Sequence, residues 1–310
     1  MEQITINGRT DIFLQTLRKT NLIYWKQVNR SVRENPALFT ELAEPLLIWA
    51  EGVLGEAWPG ILVRGYITFV NEVNKSQAEY ELLGKYRYSK FCEVAKITYE
   101  SQDFMELYHW GVFTTTFAWE HHLSLYNFFQ NRFMPMLTHS PGGALVDFGT
   151  GSGVWLSLVL SQAKGWQGTG IDISPTSVEW ARAMTTAAGI AERTTIIEGD
   201  ALTFRNDVLA QAAISCFVLE HLEEPIQLLS TIAHALEPGA PAFVCAALTA
   251  AEIDHIYEFH YESELVALAE QAGFRVCATY SAAPKNRLID RRFIPRSMGL
   301  VLERRHSKWW

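Results

Sequence analysis

A loop with three glycines follows a short apolar run near the middle of the chain. Residues 146–153 read VDFGTGSG, which places Gly149, Gly151 and Gly153 directly after the apolar residues 144–146. Glycine has no Cβ, so it adopts backbone conformations closed to other residues and lets a ligand approach the main chain. In open α/β sheets, such a loop between a strand and a helix lies at the ligand-binding edge. The loop therefore predicts an α/β fold with a nucleotide-type ligand.

Short β-type runs alternate with helical segments throughout the second half of the chain. We predict strands at 144–148, 168–172, 194–198, 212–218, 241–247, 274–280 and 294–303. Helices are predicted between them at 152–163, 175–188, 225–236 and 263–272. This alternation predicts a doubly wound, mostly parallel sheet of seven strands. The final strand follows a connection without a helical pattern, so we expect it to return antiparallel beside its predecessor.

The first half of the chain has the apolar periodicity of helices. Apolar residues from Phe39 to Val53 recur on one helical face. Further helices are predicted at 12–33, 61–84, 101–111 with Ser101 as N-cap, and 117–137. The turn-forming sequence THSPGG at 138–143 ends this region. We therefore expect an all-α N-terminal domain over 1–140 and an α/β domain over 141–310.

The composition of the chain limits the classes of partner and the compartment that we expect for the protein. The net charge is −8 and basic residues are scattered, which argues against a nucleic-acid partner. The four cysteines have no CxxC spacing, and the first residues lack a signal-peptide pattern, so we expect a reduced, cytoplasmic protein. No run approaches the ~20 uninterrupted apolar residues that span a bilayer, which predicts no membrane partner. A homodimer stays open.

Further motifs follow the glycine loop in a fixed order. GIDIS contains Asp172 after the second strand, EGDA contains Asp200 after the third, VLEHLEEP follows the fourth, and LEPGAP precedes the fifth. Together with VDFGTGSG, this order over about 142–304 resembles the class I S-adenosylmethionine-dependent methyltransferases, a Rossmann-like superfamily. Ala240 departs from the resemblance, because the family usually has a second glycine there. A nicotinamide-dependent oxidoreductase is the weaker alternative, because Val154 breaks the G-x-G-x-x-G spacing.

The resemblance implies S-adenosyl-L-methionine as the cofactor and assigns residues to it. Asp172 would accept the two ribose hydroxyls, and Asp200 with the Ala201 N–H would bind the adenine. Gly149 and Gly151 would lie against the methionine end of the cofactor. The predicted cofactor-binding set comprises Asp147, Gly149, Thr150, Gly151, Gly153, Asp172, Ile173, Asp200, Ala201, Phe217, Val218 and Glu220.

Catalytic residues are encoded less clearly than the cofactor site. His221 is the leading candidate for a general base, because VLEHL places it just after the fourth strand. His255 lies in the polar and aromatic segment 253–262, while Tyr108 and His122 lie on predicted helices of the N-terminal domain. The sequence predicts no metal site. His121 and His122 are adjacent, HExxH is absent, and His255 and His260 do not form a helical pair.

The resemblance implies a transferase that methylates a small molecule in biosynthesis, with the helical domain as a cap over the strand ends. An alternative keeps the cofactor but attacks its aminocarboxypropyl arm. That arm is then transferred, or cyclised to azetidine-2-carboxylate with release of methylthioadenosine. A non-catalytic cofactor-binding or scaffold protein is a further alternative.

Overall fold

The computed structural model describes residues 8–99, 102–285 and 291–306. Eight helices come first and precede the sheet. They are α1 (Arg9–Thr20), α2 (Leu22–Glu34), α3 (Pro36–Leu54), α4 (Trp58–Leu83), α5 (Phe91–Ala95), α6 (Gln102–Ala118), α7 (Glu120–Arg132) and α8 (Met134–Thr138). The helical character predicted for the first half is therefore confirmed. We call α1–α8 the cap.

The helix predicted over 12–33 is wrong as a single element, because Asn21 divides it into α1 and α2. The backbone of Asn21 is extended, with φ −148° and ψ 101°. Its side chain accepts hydrogen bonds from the N–H groups of Ile23 and Tyr24 at 3.1 and 3.0 Å. Asn21 thus acts as the N-cap of a new helix. Its carboxamide accepts hydrogen bonds from N–H groups of the first turn, which have no carbonyl partner within the helix.

The boundaries around α6 and α7 also differ from those predicted. Helix α6 extends to Ala118, and Trp119 then has the extended backbone of an N-cap before α7. The predicted segment 117–137 is consequently divided among α6, α7 and α8. The proposed N-cap Ser101 lies outside the described residues. Helix α5 was not predicted, since five residues are too few to show a helical period.

The seven-stranded sheet is confirmed and its strand order is β3-β2-β1-β4-β5-β7-β6. Strands β1 to β5 pair in parallel, and β7 pairs antiparallel with both β5 and β6, as expected for the returning strand. The strands are β1 (Gly143–Phe148), β2 (Trp166–Asp172), β3 (Thr194–Glu198), β4 (Ala212–Cys216), β5 (Pro241–Leu248), β6 (Phe274–Ala282) and β7 (Arg296–Arg304).

Four helices connect the parallel strands or precede β6, and they cover the faces of the sheet. They are α9 (Val154–Gln162), α10 (Pro175–Ala187), α11 (Pro225–Ala235) and α12 (Glu262–Gln271). The strand order reverses between β1 and β4, so the crevice outside their carboxyl ends is where an open α/β sheet binds its ligand. The glycine loop follows β1 and lies at this point.

The cap packs on one side of the sheet through aromatic side chains. Phe243 of β5 contacts the rings of Phe128, Phe129 and Phe133, with centroids 5.0–6.3 Å apart. One core cluster therefore continues from the cap helices to this face of the sheet, and a second fills the opposite face. Because the core is shared, the division into two domains at residue 140 stays a prediction.

A second contact joins the cap to the segment that follows β5. Gln77 of α4 is 3% exposed, and its carboxamide oxygen accepts a hydrogen bond from the Ala251 N–H at 2.9 Å. Its nitrogen donates to the carbonyls of Thr249 and Phe293 at 3.4 and 3.3 Å. The hydroxyl of Tyr86 donates to the Ala250 carbonyl at 2.9 Å. The cap thus holds the main chain beyond β5 in place.

The stretch Pro36–Leu83, which contains α3 and α4, is long and apolar enough to cross a membrane. Of the apolar 18-residue segment within this stretch, 39% is buried inside the protein. No other helix of the described residues has that length and composition. A single stretch of this kind is weak evidence for a membrane-spanning helix, because the core helices of folded proteins meet the same criterion.

Candidate functional site

The glycine loop adopts left-handed backbone conformations at its three glycines. Their φ angles are 71°, 53° and 76° at Gly149, Gly151 and Gly153. A Cβ on Gly149 would lie 2.5 Å from the Val218 side chain, so only glycine fits between the loop and the end of β4. A Cβ on Gly151 would meet nothing within 4 Å, which leaves its backbone open to the cavity described below.

Gly153 differs from the other two glycines. It precedes α9, and a Cβ there would lie 3.1 Å from the Cα of Ala181 on α10. Gly153 does not line the cavity, unlike Gly149 and Gly151. The close packing of α9 against α10 therefore explains why glycine is required at this position, and its place in the cofactor-binding set stays a prediction.

Asp172 ends β2 and faces the glycine loop. Its carboxylate accepts hydrogen bonds from the Gly151 N–H at 2.8 Å and from the Ser174 N–H at 2.9 Å. Burial raises the pKa of Asp172, and these two hydrogen bonds oppose that rise. The neighbouring Ile173 is half exposed and lines the same cavity. Asp172 thus presents a carboxylate, fixed by two backbone donors, where a ribose would bind.

Asp147 lies beneath the loop and is 1% exposed. Its carboxylate accepts a hydrogen bond from the Thr150 hydroxyl at 2.7 Å. Burial raises the pKa of Asp147 to about 7, although the bond from Thr150 lowers it. Asp147 and Thr150 both line the cavity, so the pair supports the loop from below and can exchange a proton near neutral pH.

Asp200 and Ala201 follow β3 and form another part of the cavity wall. The Oδ1 atom of Asp200 accepts a hydrogen bond from the Leu202 N–H at 2.8 Å, which fixes the turn. The Asp200 side chain is exposed. It can therefore accept a hydrogen bond from a ligand without losing its bond to the turn.

The chain leaves β4 in a strained conformation at Phe217, which has a φ of 57° although it is not glycine. Its N–H donates to the Cys245 carbonyl at 2.9 Å, and its ring lies 4.9 Å from that of His122 on α7. Such strain is held only where surrounding contacts fix it, and it occurs most often at functional sites. Phe217 and Val218 both line the cavity, and their contact with the cofactor stays a prediction.

Glu220 plays a more structural part than the sequence indicated. It is fully buried, its Oε1 accepts a hydrogen bond from the Ala247 N–H at 3.1 Å, and its carbonyl accepts from Ile256 and Tyr257. Burial raises the pKa of Glu220 to about 7, against the lowering effect of His221. Its Oε2 is buried without a hydrogen-bond partner among the described residues. Glu220 joins the end of β4 to the segment after β5.

A cluster of polar side chains surrounds Asp254. Its Oδ2 accepts hydrogen bonds from the hydroxyls of Tyr99 at 3.0 Å and Tyr108 at 2.7 Å. The Nδ1 of His221 lies 3.1 Å from the Asp254 carbonyl, to which it donates, and 3.2 Å from the Tyr99 hydroxyl. Burial lowers the pKa of His221, but Asp254 and Glu220 outweigh it and raise the pKa above its ordinary value.

His255 is neutral and its ring orientation is fixed. Its Nδ1 donates to the Ala250 carbonyl at 2.7 Å, and its ring centroid lies 4.9 Å from that of His221. Burial lowers the pKa of His255 to about 3, and the nearby His221 lowers it further. The structure therefore brings together three of the four predicted catalytic candidates: His221, His255 and Tyr108.

The fourth candidate, His122, lies on α7 of the cap and lines the same cavity. Burial lowers the pKa of His122 well below its ordinary value, with a further contribution from His121. Both rings pack against Trp119, at 5.0 and 5.2 Å between centroids. His122 is thus a neutral, aromatic part of the wall beside Phe217.

Two residues of the site were not predicted from the sequence, and one predicted segment contributes fewer residues to the cavity than expected. Tyr99 lies on no predicted element, and Glu252 carries no motif of its own, yet both line the cavity. In the segment 253–262, Tyr261 and His260 instead face solvent. Although this segment is rich in polar aromatic residues, the part of it that lines the cavity is Asp254 and His255.

One cavity of about 960 Å³ unites these parts. Its walls include the glycine loop, the ends of β2, β3 and β4, the segment after β5, and the cap helices α4, α6 and α7. Its lining fits S-adenosylmethionine: open backbone at Gly151, a fixed carboxylate at Asp172 for ribose hydroxyls, and an exposed carboxylate at Asp200 for an amino group. The rings of Phe217 and His122 supply the aromatic neighbourhood that suits a sulfonium.

Comparison with known proteins agrees with this geometry. A family model described as a methyltransferase domain matches residues 119–279. No curated protein sequence matches the chain at a significant level.

Solved structures of similar fold have low sequence identity to the chain. The mitomycin 7-O-methyltransferase MmcR is 21% identical over 87% of this chain and 75% of its own, with a TM-score of 0.50. A methyltransferase from Geobacter sulfurreducens in complex with S-adenosyl-L-homocysteine is 20% identical over 56% and 90%, with a TM-score of 0.44. The [4+2]-cyclase SpnF is 17% identical over 57% and 82%, with a TM-score of 0.46.

The matched family model covers just over half of the chain, and the fold, the order of the motifs and the donor set of the cavity agree with it. The cofactor of the protein is S-adenosylmethionine. The chain belongs to the methyltransferase-domain family of the class I S-adenosylmethionine-dependent methyltransferase superfamily.

Proposed function

We propose that the protein transfers the methyl group of S-adenosylmethionine to a small-molecule acceptor held between the sheet and the cap. The observation that carries this proposal is the single cavity lined both by the glycine loop and by cap residues such as Tyr108 and Trp119. Its volume of about 960 Å³ is near the upper end of small-molecule sites, about 300–1,000 Å³. That volume supports a cofactor and an acceptor together.

S-adenosylmethionine supplies an electrophilic methyl carbon on a sulfonium when it is bound. The chain's own contribution begins with orientation, which is worth about 7–11 kcal/mol in well-aligned reactions. Asp172 and the backbone of Gly151 would hold the nucleoside and methionine ends. The aromatic walls of the cap, which include Tyr66, Phe69 and Trp119, exclude water and favour an acceptor with an apolar body.

His221 is the proposed general base for an acceptor that carries a proton. Its Nδ1 hydrogen is committed to the Asp254 carbonyl, which leaves the lone pair of the neutral ring on Nε2. The side chain keeps 17% of its surface exposed and lines the cavity. Asp254 and Tyr99 orient the ring, and Asp254 stabilises the imidazolium that forms after proton transfer.

A small molecule fits the charge of the protein better than a nucleic acid does. The net charge of −8 would repel a phosphate backbone. The acidic side chains of Glu220, Glu252 and Asp254 line the cavity together with side chains of the cap. We accordingly propose a metabolite as the acceptor and no nucleic-acid or membrane partner for the reaction.

A second candidate reaction attacks the aminocarboxypropyl arm of the cofactor, and the state of Asp147 favours it. That reaction needs a base for the amine at the methionine end, next to the glycine loop. Asp147 lies under this loop with a pKa raised to about 7 by burial, so it can accept a proton near neutral pH. Thr150 links it to the loop through a hydrogen bond.

Product analysis separates the two reactions. The protein is incubated with S-adenosylmethionine carrying a radiolabelled methyl group, alone and with an extract of small metabolites. Methyl transfer predicts S-adenosylhomocysteine and a labelled product only when the extract is present, and His221→Gln should reduce both. Methylthioadenosine from the cofactor alone would overturn methyl transfer and support the second candidate.

A further inference from the structure

Three side chains of metal-ligating type meet on the segment after β5. Glu252, Asp254 and His255 each offer one ligand atom, and these atoms lie within 4.8 Å of one another. The Nε2 of His255 is 3.6 Å from the Oε2 of Glu252. The sequence predicted no metal site from the helical spacings of histidine, whereas these three residues lie in a non-helical E-x-D-H segment.

The ring of His255 presents a lone pair to these carboxylates. The partner of its Nδ1, the Ala250 carbonyl, can only accept a hydrogen bond, so Nδ1 carries the hydrogen of the neutral ring. Nε2 therefore carries the lone pair of the neutral ring and lies near the Glu252 carboxyl group. A histidine whose Nδ1 donates to a backbone carbonyl has the orientation that is typical of metal-ligating histidines.

Two carboxylate oxygens beside this histidine are buried without a partner. Asp254 is 1% exposed, and its Oδ2 is occupied by the hydroxyls of Tyr99 and Tyr108. Its Oδ1 has no hydrogen-bond partner among the described residues, and the same holds for Oε2 of the fully buried Glu220. Glu220 offers a carboxylate oxygen within 4.8 Å of His255 as well. A buried carboxylate oxygen that has neither a donor nor a cation beside it is costly.

We propose that Glu252, Asp254 and His255, with Glu220 beside them, bind one divalent first-row metal ion, of which Zn²⁺ suits the mixed imidazole and carboxylate donors. Metal–ligand bonds of about 2.0–2.2 Å separate two ligands of one ion by at most about 4.4 Å. The observed spacing therefore requires only small side-chain rotations. Tyr99 and Tyr108 would orient Asp254 through hydrogen bonds to its other oxygen.

The position of the site indicates what the ion would do. All four residues line the cavity that also contains Gly151 and Asp172. An ion there would polarise an oxygen of the acceptor and so favour hydroxyl- or carboxylate-bearing molecules. Metal binding is measured without turnover, so its outcome is independent of whether methyl transfer is found.

The test is titration of the chelator-treated full chain with Zn²⁺ alone, by calorimetry and by elemental analysis, with Mg²⁺ as the comparison ion. We expect one Zn²⁺ per chain. Glu252→Gln and His255→Ala should each weaken binding by more than about 100-fold, since loss of a ligand exceeds the loss caused by removing an outer partner. His260→Ala is the matched control, because His260 lies on the same segment but pairs with Glu258 at 3.4 Å.

Two results would overturn the site. One is the absence of saturable Zn²⁺ binding by the wild-type chain. The other is wild-type affinity in Glu252→Gln and His255→Ala, which would place the ion elsewhere. Circular dichroism checks the fold of each variant, and Glu252→Gln decides the question if His255→Ala does not fold.

Discussion

The carboxylate of Asp172 binds the backbone of Gly151, with 2.8 Å between Oδ2 and the amide nitrogen. This bond connects the end of β2 to the loop after β1, the two elements that we propose hold the nucleoside and methionine ends of the cofactor. The carboxylate therefore fixes the position of the loop, and its remaining lone pairs are available for the proposed contact with a ribose.

Replacing Asp172 by Asn should weaken cofactor binding. The amide keeps the size of the side chain but loses the charge, and a hydrogen bond to a charged group is worth about 1.5–3 kcal/mol. We expect the Kd for S-adenosylhomocysteine, measured by calorimetry, to rise at least about tenfold. Glu198→Gln is the matched control, because Glu198 pairs with Asp172 in the sheet and is exposed. Equal affinities in both variants would contradict the role of Asp172.

Two glycines with similar backbone angles should respond differently to alanine. Gly149 and Gly189 have φ angles of 71° and 68°. A Cβ on Gly189 meets nothing within 4 Å, so Gly189→Ala should cost only the backbone strain, about 1–2 kcal/mol. Gly149→Ala adds a clash with Val218, and overpacking costs about 1–3 kcal/mol more. Urea unfolding measures both values, and equal losses would show that the loop moves freely away from β4.

Replacing His221 by Gln should slow methyl transfer without loss of cofactor affinity. General-base catalysis contributes about 10²–10⁴-fold, and glutamine can keep a hydrogen bond but cannot take up the proton. The rate of product formation and the Kd for S-adenosylhomocysteine are measured on the same preparation. His234→Gln serves as the control, since His234 is exposed on α11. A wild-type rate in His221→Gln would exclude this residue as the base.

The free energy of unfolding should depend on pH because Asp147 titrates at a different pH in the folded and unfolded states. Burial raises its pKa from 3.8 to about 7 on folding, so the folded state holds more protons than the unfolded state between these values. The free energy that the protonated group contributes is complete below pH 4 and is lost as the pH rises through 7. Asp147→Asn does not titrate, and it keeps an acceptor for Thr150.

The difference in unfolding free energy between Asp147→Asn and the wild type should therefore move in favour of the variant between pH 5 and pH 8, by about 1–3 kcal/mol. Urea unfolding of both proteins without cofactor, at several pH values, measures it. Parallel pH profiles would mean that Asp147 is ionised in the folded protein.

The parts of the molecule that could be predicted from the sequence are those that depend on residues close together along the chain. Strands, their connecting helices and the ligand-binding edge follow from local patterns, and so does the acidic residue at the end of β2. The break at Asn21 was missed because periodicity alone does not reveal that a polar residue caps a new helix. Tyr99 could not be predicted as part of the site, since it meets Asp254 across 155 residues of sequence.

The grouping of the catalytic candidates also depends on contacts between residues that are far apart in the sequence. His221 and His255 follow different strands, and their proximity depends on the order of those strands in the sheet. Glu220 was assigned to the cofactor from its position after β4, but its burial against Ala247 depends on the neighbouring strand β5. Spacing along the chain contains no information about these contacts.

The carboxamide of Gln77 has a consequence for protein engineering. It uses both its oxygen and its nitrogen on backbone groups before β7 and after β5, so a cap grafted onto this sheet from another protein needs an equivalent group. A chimaera that lacks it would leave the Ala251 N–H unsatisfied and release the residues beside Glu252 and His255. Cap and sheet must therefore be exchanged as one unit.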